Sequence, residues 1–404
     1  MAPIELEVYT DDPASVAALR AYWDFDEDTQ TWAQTVTEVR KQHALSQPQM
    51  TRILRTCGTV RMLKSLCPTC GECATASNRS EYAHRMTMAN ALCEACQAAS
   101  RAAQAQAAKE RSAVRRAKLA ETFPVFTLER APVQKLSLFQ AVALQALFSD
   151  PALEDAGLTT PTTGWPKERP WAPANLYVDY ERRVLHAKPP TLFAHPDSHV
   201  DAFDWEEKDE PSGSFYLGKV SYYLLGSHHH LPDRVPGLLN DLNHVFREGP
   251  WPTAWLEQWK ALWDELVLSY ASAYLDMKLR EHHLEMKQGD GTRTALADAL
   301  ATFSLGQVFN LIYRATKDAA AYYQRGGVNK RQAANSTVGR ISSGADRARA
   351  NGWEIKSFNL PWNLPLSAMG EIFFHKVMWQ ADMMHLPVGE VRPPEHASED
   401  EPQG

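Results

Sequence analysis

Along much of this chain, apolar positions recur at three- and four-residue spacing, the period of a helix with one buried face. The pattern is strongest toward the C-terminus. Within residues 253–286, Trp255, Trp259, Leu262, Trp263, Leu266 and Tyr270 follow it, and residues 294–325 form a second long helical stretch that Gly326 and Gly327 stop. Helical spacing also runs through residues 31–55, broken near 43–48. It returns in one short apolar segment, 136–150. Residues 97–121 are rich in alanine, lysine and arginine, so propensity alone predicts a helix there. Short strand-like runs, 191–195 and 214–225, sit in a proline-rich middle. No fixed-period repeat is present. The fold class expected is mainly α with small β elements.

These shifts divide the chain into an acidic lead (1–30), a helix pair (31–66), a cysteine-rich module with a basic helix (67–121), a mixed α/β middle (122–234), a helical domain (235–390) and a disordered acidic tail (391–404). The middle segment 171–205 reads as a helix followed by a small β-wing, which would make it winged-helix-like, or as an irregular α/β domain. No apolar run approaches 18 residues, so no membrane-spanning helix is expected. The first twenty residues lack a basic start and an apolar core, so no signal peptide is expected, and a cytoplasmic location is.

Charge is uneven. The net −7 conceals eight acids against one base in residues 1–30, twelve Lys/Arg against four acids in 52–120, and nine against three in 314–356. Two basic zones in an acidic protein suggest a localised polyanion footprint, or else solvated helix faces.

All six cysteines fall between Cys57 and Cys96, not spread as a disulfide framework, which favours a metal site in a reducing compartment. Each CxxC turn can place two sulfurs on one side, and tetrahedral zinc takes two such pairs. Pro68 and Gly71 suit the first turn. Cys67, Cys70, Cys93 and Cys96 are the expected ligands of a structural Zn²⁺. An iron–sulfur cluster is the rival, since Cys67, Cys70 and Cys73 are also evenly spaced, and redox use stays open. Cys73 is then spare, able to replace Cys70 or remain a free thiol. Cys57 is expected to pack in a helix. His84 can be a ligand or an exposed hairpin histidine. The 22 residues between Cys70 and Cys93 can form two strands and a connection. Residues 67–100 thus resemble the zinc-ribbon or treble-clef knuckle pair, and the helix-forming run after Cys96 leans toward treble clef.

Before the zinc module, residues 35–57 read as two short helices whose inward faces are Val36, Val39, Leu45, Met50, Ile53 and Leu54. Ser46 and Gln49 fit a capping box, with Pro48 in the first turn. This stretch resembles the helix-turn-helix of bacterial DNA-binding proteins, although Arg40 stands where that motif usually has a small residue and Ala44 where it often has glycine. An ordinary helical hairpin is the plainer alternative. The resemblance implies that Ser46, Gln47, Gln49 and Arg52 face the major groove and that Arg55, Arg61 and Lys64 hold phosphates. Arg115 and Arg116 on the basic helix, with Arg331 and Arg340 in the second basic zone, are further candidate phosphate contacts.

Consecutive His228, His229 and His230 diverge, and His282, His283 and Glu285 lack the His-Glu-x-x-His spacing. His195 and His199 lie in a loop pattern. No phosphate-binding lysine loop, dinucleotide fingerprint or nucleophile elbow occurs, and no catalytic residue is assigned. The expectation is a zinc-containing double-stranded-DNA-binding protein, a bacterial regulator or a mobile-element or phage-defence component. Its helical domain would oligomerise or bind a protein partner. The alternatives are a nuclease or nuclease subunit, and a protein-docking scaffold.

Overall fold

The computed structural model describes residues 4–26, 31–87, 92–149, 157–379 and 382–397, without the side chain of Lys64. The protein is mainly helical with small antiparallel sheets and divides into two compact units, Met1–Ala113 and Val114–Gly404.

The acidic lead is structured. β1 (Ile4–Val8) is followed by α1 (Pro13–Trp23), whose N-cap Asp12 accepts the Ser15 N–H at 3.0 Å, with Pro13 at the first position. The short pair β2 (Phe25–Asp26) and β3 (Thr31–Trp32) leads to α2 (Val36–Gln42) and α3 (Gln47–Thr56). β4 (Gly58–Leu66) then pairs antiparallel with β1, Ile4 opposite Met62 and Val8 opposite Gly58. On its other side it pairs with β5 (Cys73–Ala76). Next come α4 (Arg79–Thr87) and α5 (Glu94–Thr122), which runs across the division between the units.

The helix pair buries the face that the apolar spacing predicts. Val39, Met50, Ile53 and Leu54 join Leu19, Trp23, Val60, Met62 and Tyr82 in one core, with Val36 and Leu45 partly buried against it. Each fully buried aliphatic side chain there contributes about 1.5–3 kcal/mol. The capping box forms as expected: Gln49 Oε1 accepts the Ser46 N–H at 2.8 Å.

Of the expected second strand, residues 82–92, residues 82–87 are helical and residues 88–91 lie outside the described residues. Residues 81–87 belong to α4 because Asn78 caps its start, accepting the Glu81 N–H at 2.9 Å, while Glu81 reaches back to the Ser77 N–H at 2.9 Å. That local capping outweighs the strand propensity of Tyr82 and Met86, and His84 therefore lies on an exposed helical face rather than in a hairpin.

In the second unit, α6 (Leu138–Leu147) is buried on every side; its sequence is apolar apart from Gln140 and Gln145, and Gln140 donates to the Pro189 carbonyl at 3.0 Å. α7 (Tyr177–Leu185) follows. The middle segment then holds two separate two-stranded ladders, β6 (Leu192–Ala194) with β9 (Tyr222–Leu224) and β7 (Phe203–Trp205) with β8 (Pro211–Phe215). α8 (Arg234–Glu248), α9 (Thr253–Glu281), α10 (Asp290–Leu300), α11 (Leu305–Gln324) and α12 (Lys330–Asn351) form the helical body. The repeated tryptophans are core: Trp255 and Trp263 are buried, and Trp259 packs on the same cluster. The short α13 (Ala368–Glu371) continues into one π-helical stretch, Ile372–Val377. Of the acidic tail, Val391 and Ala397 are buried, and residues 398–404 lie outside the described residues.

Candidate metal centre and its neighbouring surface

The first cysteine pair sits on the turn joining β4 to β5. Cys67 donates its N–H to the Glu72 carbonyl at 2.7 Å and accepts at its own carbonyl from the Gly71 N–H at 2.9 Å. Gly71 closes the turn in the left-handed region at φ +75°, where a side chain would be strained. The second pair straddles the start of α5: Cys93 immediately precedes it and Cys96 lies in its first turn. A strand-to-strand turn and a helix start thus bring the four sulfurs within 4.8 Å of one another, and these four thiols can hold a metal ion. Cys70 and Cys93 are 3.6 Å apart at sulfur. Tetrahedral Zn–S bonds of about 2.3 Å require sulfurs about 3.8 Å apart. A disulfide requires about 2.05 Å, and all six cysteines are free thiols.

The backbone favours thiolate at the cluster's buried member. Cys67 Sγ accepts the Cys93 N–H at 3.3 Å, and this bond, with further N–H groups from Cys70 and Thr69, draws its pKa down to about 6. Cys96 is pushed up to about 12, first by the neighbouring Cys93 sulfur and then by Cys70. One sulfur ionises readily and the next resists, because negative charge accumulates in one place. A divalent cation removes that conflict and allows all four to ionise. All four donors are sulfur, which selects a thiophilic metal over calcium or magnesium.

Cys73 lies on β5 opposite Leu66 and outside the four-sulfur group. Cys57 caps the C-terminus of α3, packs on the core and has its sulfur 3.4 Å from the Thr56 hydroxyl, in line with a packing role. Neither it nor His84 joins the cluster. Among the described residues no other group of histidine, cysteine or acidic side chains is arranged to hold a metal.

On α3 the exposed face carries Gln47, Pro48, Thr51, Arg52, Arg55 and Thr56, which line a shallow depression. Arg52 and Arg55 have no side-chain partner among the described residues. Ser46 and Gln49, expected to face DNA, are occupied by the cap, where the Ser46 hydroxyl also donates to Gln49 Oε1 at 2.6 Å. The two unusual residues of the turn have a structural account. Ala44 adopts φ +53°, and Arg40 braces the turn through the Leu45 carbonyl at 3.3 Å and Gln47 Oε1 at 2.8 Å.

The other candidate cations separate into free and engaged groups. Arg61 faces Glu5 and Glu7 across the β1–β4 ladder at 3.5 and 3.4 Å. The Lys64 side chain lies outside the described residues. Arg116 is exposed on α5. Arg115 is committed internally: it stacks over the Trp205 ring at 4.5 Å and donates to Asp209 at 2.9 Å. Arg331 is exposed, whereas Arg340 leans on the Ser336 hydroxyl at 3.3 Å, with Asp318 at 4.0 Å.

Two charged groups, half-buried Arg79 and buried Glu181, escaped the sequence reading. Arg79 lies between the rings of Tyr22 and Trp32, 4.5 Å from each, and donates to the carbonyls of Tyr22 at 2.8 Å and Gln34 at 2.7 Å. It ties α4, the helix between the cysteine pairs, to α1 through Tyr22 and to the chain before α2 through Trp32 and Gln34. Glu181, 3% exposed, accepts from Thr162 at 3.1 Å and Tyr222 at 3.2 Å, and burial raises its pKa to about 7. The density of tyrosine around position 180 was the only signal for the second. No protein-family model, curated protein or solved structure matches this chain, so these residues and their geometry alone carry the functional reading.

Proposed function

We propose that this chain is a zinc-containing, duplex-DNA-binding protein whose first unit carries the base-reading surface. The observation that carries the proposal is the division of α3 into two faces on a module that also holds the four-thiol cluster. Met50, Ile53 and Leu54 are buried, and Gln47, Thr51, Arg52 and Arg55 are directed to solvent. α2, its tight turn and α3 act as a helix-turn-helix. The reading residues are Gln47 and Arg52, whose amide and guanidinium suit adenine and guanine edges, and Arg55 holds phosphate. A cysteine pair on a β-turn facing a second pair at a helix start resembles a treble clef, which supports a structural zinc whose role is to hold the module in shape.

The test is binding of the full chain to labelled duplex between 50 and 200 mM salt, read by fluorescence anisotropy. Affinity should fall steeply with salt, Arg55→Ala should reduce the salt slope by about one, and Arg52→Ala should cost about 1–3 kcal/mol on the preferred sequence and relax specificity. Elemental analysis should find one zinc per chain, lost in the Cys67→Ser/Cys93→Ser double variant and kept in Cys57→Ser. Absence of duplex binding at 50 mM salt overturns the proposal. Mg²⁺- or Mn²⁺-dependent cleavage of the duplex would replace it with a nuclease.

A further inference from the structure

The second unit bears its own row of free cations. Arg314 and Lys317 on α11 and Arg325 at its C-cap recur within one side of the helix, while Leu311, Ile312, Ala315, Thr316 and Ala319 are buried. The chain then turns through Gly326 and Gly327, both left-handed at φ +81° and +84°, and α12 opens with Lys330 and Arg331. All five cations are exposed, and none has a side-chain partner among the described residues. The acid interrupting the row, Asp318, is 4.0 Å from Arg340 of α12, which offsets its charge locally. Arg349, which the sequence groups with this zone, is absorbed elsewhere, bonded to Asp298 and Asp346.

The arrangement is a line rather than a pocket. At 1.5 Å per residue, Arg314 and Arg325 are about 16 Å apart along the α11 axis, and Lys330 and Arg331 follow across the turn. A small anion needs donors that converge on one point, and cations at the two ends of an 11-residue helical span cannot all meet it. A linear polyanion with closely and evenly spaced charges fits. Duplex DNA presents one charge per roughly 1.7 Å of axis, so five separated cations can each meet a different phosphate.

We propose that the α11–α12 hairpin is a second duplex contact, made to the phosphate backbone and indifferent to sequence. It rests on this row alone and stands whether or not α3 reads bases. The experiment uses the full chain, a labelled duplex of about 30 base pairs and a salt titration. Lys330→Glu/Arg331→Glu should weaken binding about tenfold and lower the salt slope by about two, equally on unrelated sequences. Arg314→Ala/Lys317→Ala should lower the slope by about two as well. The melting temperature should not move, since these side chains bond nothing. Arg247→Glu, an exposed change of the same sign on α8, is the control and should leave the slope unaltered. An unchanged slope in both double variants, or an equal loss in the control, overturns the inference. A loss confined to the α11–α12 variants, with Arg52→Ala silent, retains it and rejects the reading of α3. A loss confined to Arg52→Ala does the reverse.

Discussion

Removing Arg79 tests whether the helix pair and the cysteine module are one cooperative body. Its guanidinium donates to two carbonyls, and charge-assisted bonds contribute about 1.5–3 kcal/mol each. The two ring faces at 4.5 Å add about 0.5–1 kcal/mol each. Desolvating a half-buried cation takes back several kcal/mol, so Arg79→Ala should cost the first unit about 3 kcal/mol. Tryptophan fluorescence is a poor readout, because most of the chain's 12 tryptophans lie in the second unit. Peptide-resolved hydrogen exchange separates the units. Peptides from α1 and α4 should exchange about 100-fold faster, while those from α9 and α11 stay unchanged. Arg79→Lys keeps the charge but loses the planar stack and the second carbonyl, so it should fall between the two. Acceleration of less than about threefold in Arg79→Ala would refute the reasoning, since it corresponds to under about 0.7 kcal/mol.

Three further outcomes are expected. Glu181 has a folded pKa of about 7, above its unfolded value, so it favours the fold below pH 4.5 and that contribution is lost as pH rises through 7. Calorimetry of the second unit should show about 3 kcal/mol lost across that window, and Glu181→Gln should flatten the profile. Ala44→Gly relieves a left-handed alanine and should raise the stability of the first unit by about 0.5–1 kcal/mol in denaturant titration. Gly71→Ala strains the knuckle at φ +75° by about 1 kcal/mol and should weaken metal binding about fivefold in a competition with a chromogenic chelator.

The features legible in the sequence were local ones. The cap at Ser46 and Gln49, the inward face of α3 and the pairing of four thiols each depend on residues a few positions apart, or on two short turns of fixed geometry. Strand β1 was not legible, because its partner lies more than fifty residues away. Its alternation, Ile4, Leu6 and Val8 against Glu5 and Glu7, covers only five residues, and the acids that complete it sit opposite Arg61 and Thr59 on the ladder and read in sequence as part of an acidic lead. α4 was missed for a different reason: its start signal, Asn78 with Glu81, was present but read as a connection between strands. The basic residues show the limit of composition. Arg115, Arg340 and Arg349 look the same in sequence as Arg116 and Arg331, and only the positions of Asp209, Asp318 and Asp298 separate engaged cations from free ones.

The position of the thiol cluster relative to α3 would give a bound metal a more specific role than general stabilisation. α3 ends at Cys57, and β4 runs from there to the knuckle, nine residues or roughly 30 Å of strand. Along β4, Val60 and Met62 are buried opposite Ala76 and Ala74, while Arg61 points outward to Glu5 and Glu7. A slip of one residue would expose Val60 and Met62 and bury Arg61. The ladder is already irregular between Met62 and Leu66, and the small alanines of β5 hold register weakly there. Cys67 follows the irregularity directly and must meet Cys93 at the start of α5, a condition no slipped register satisfies. A metal bound by all four thiols would therefore fix the far end of the strand whose near end carries α3, so that metal loss would act on the proposed reading helix through register and not only through unfolding.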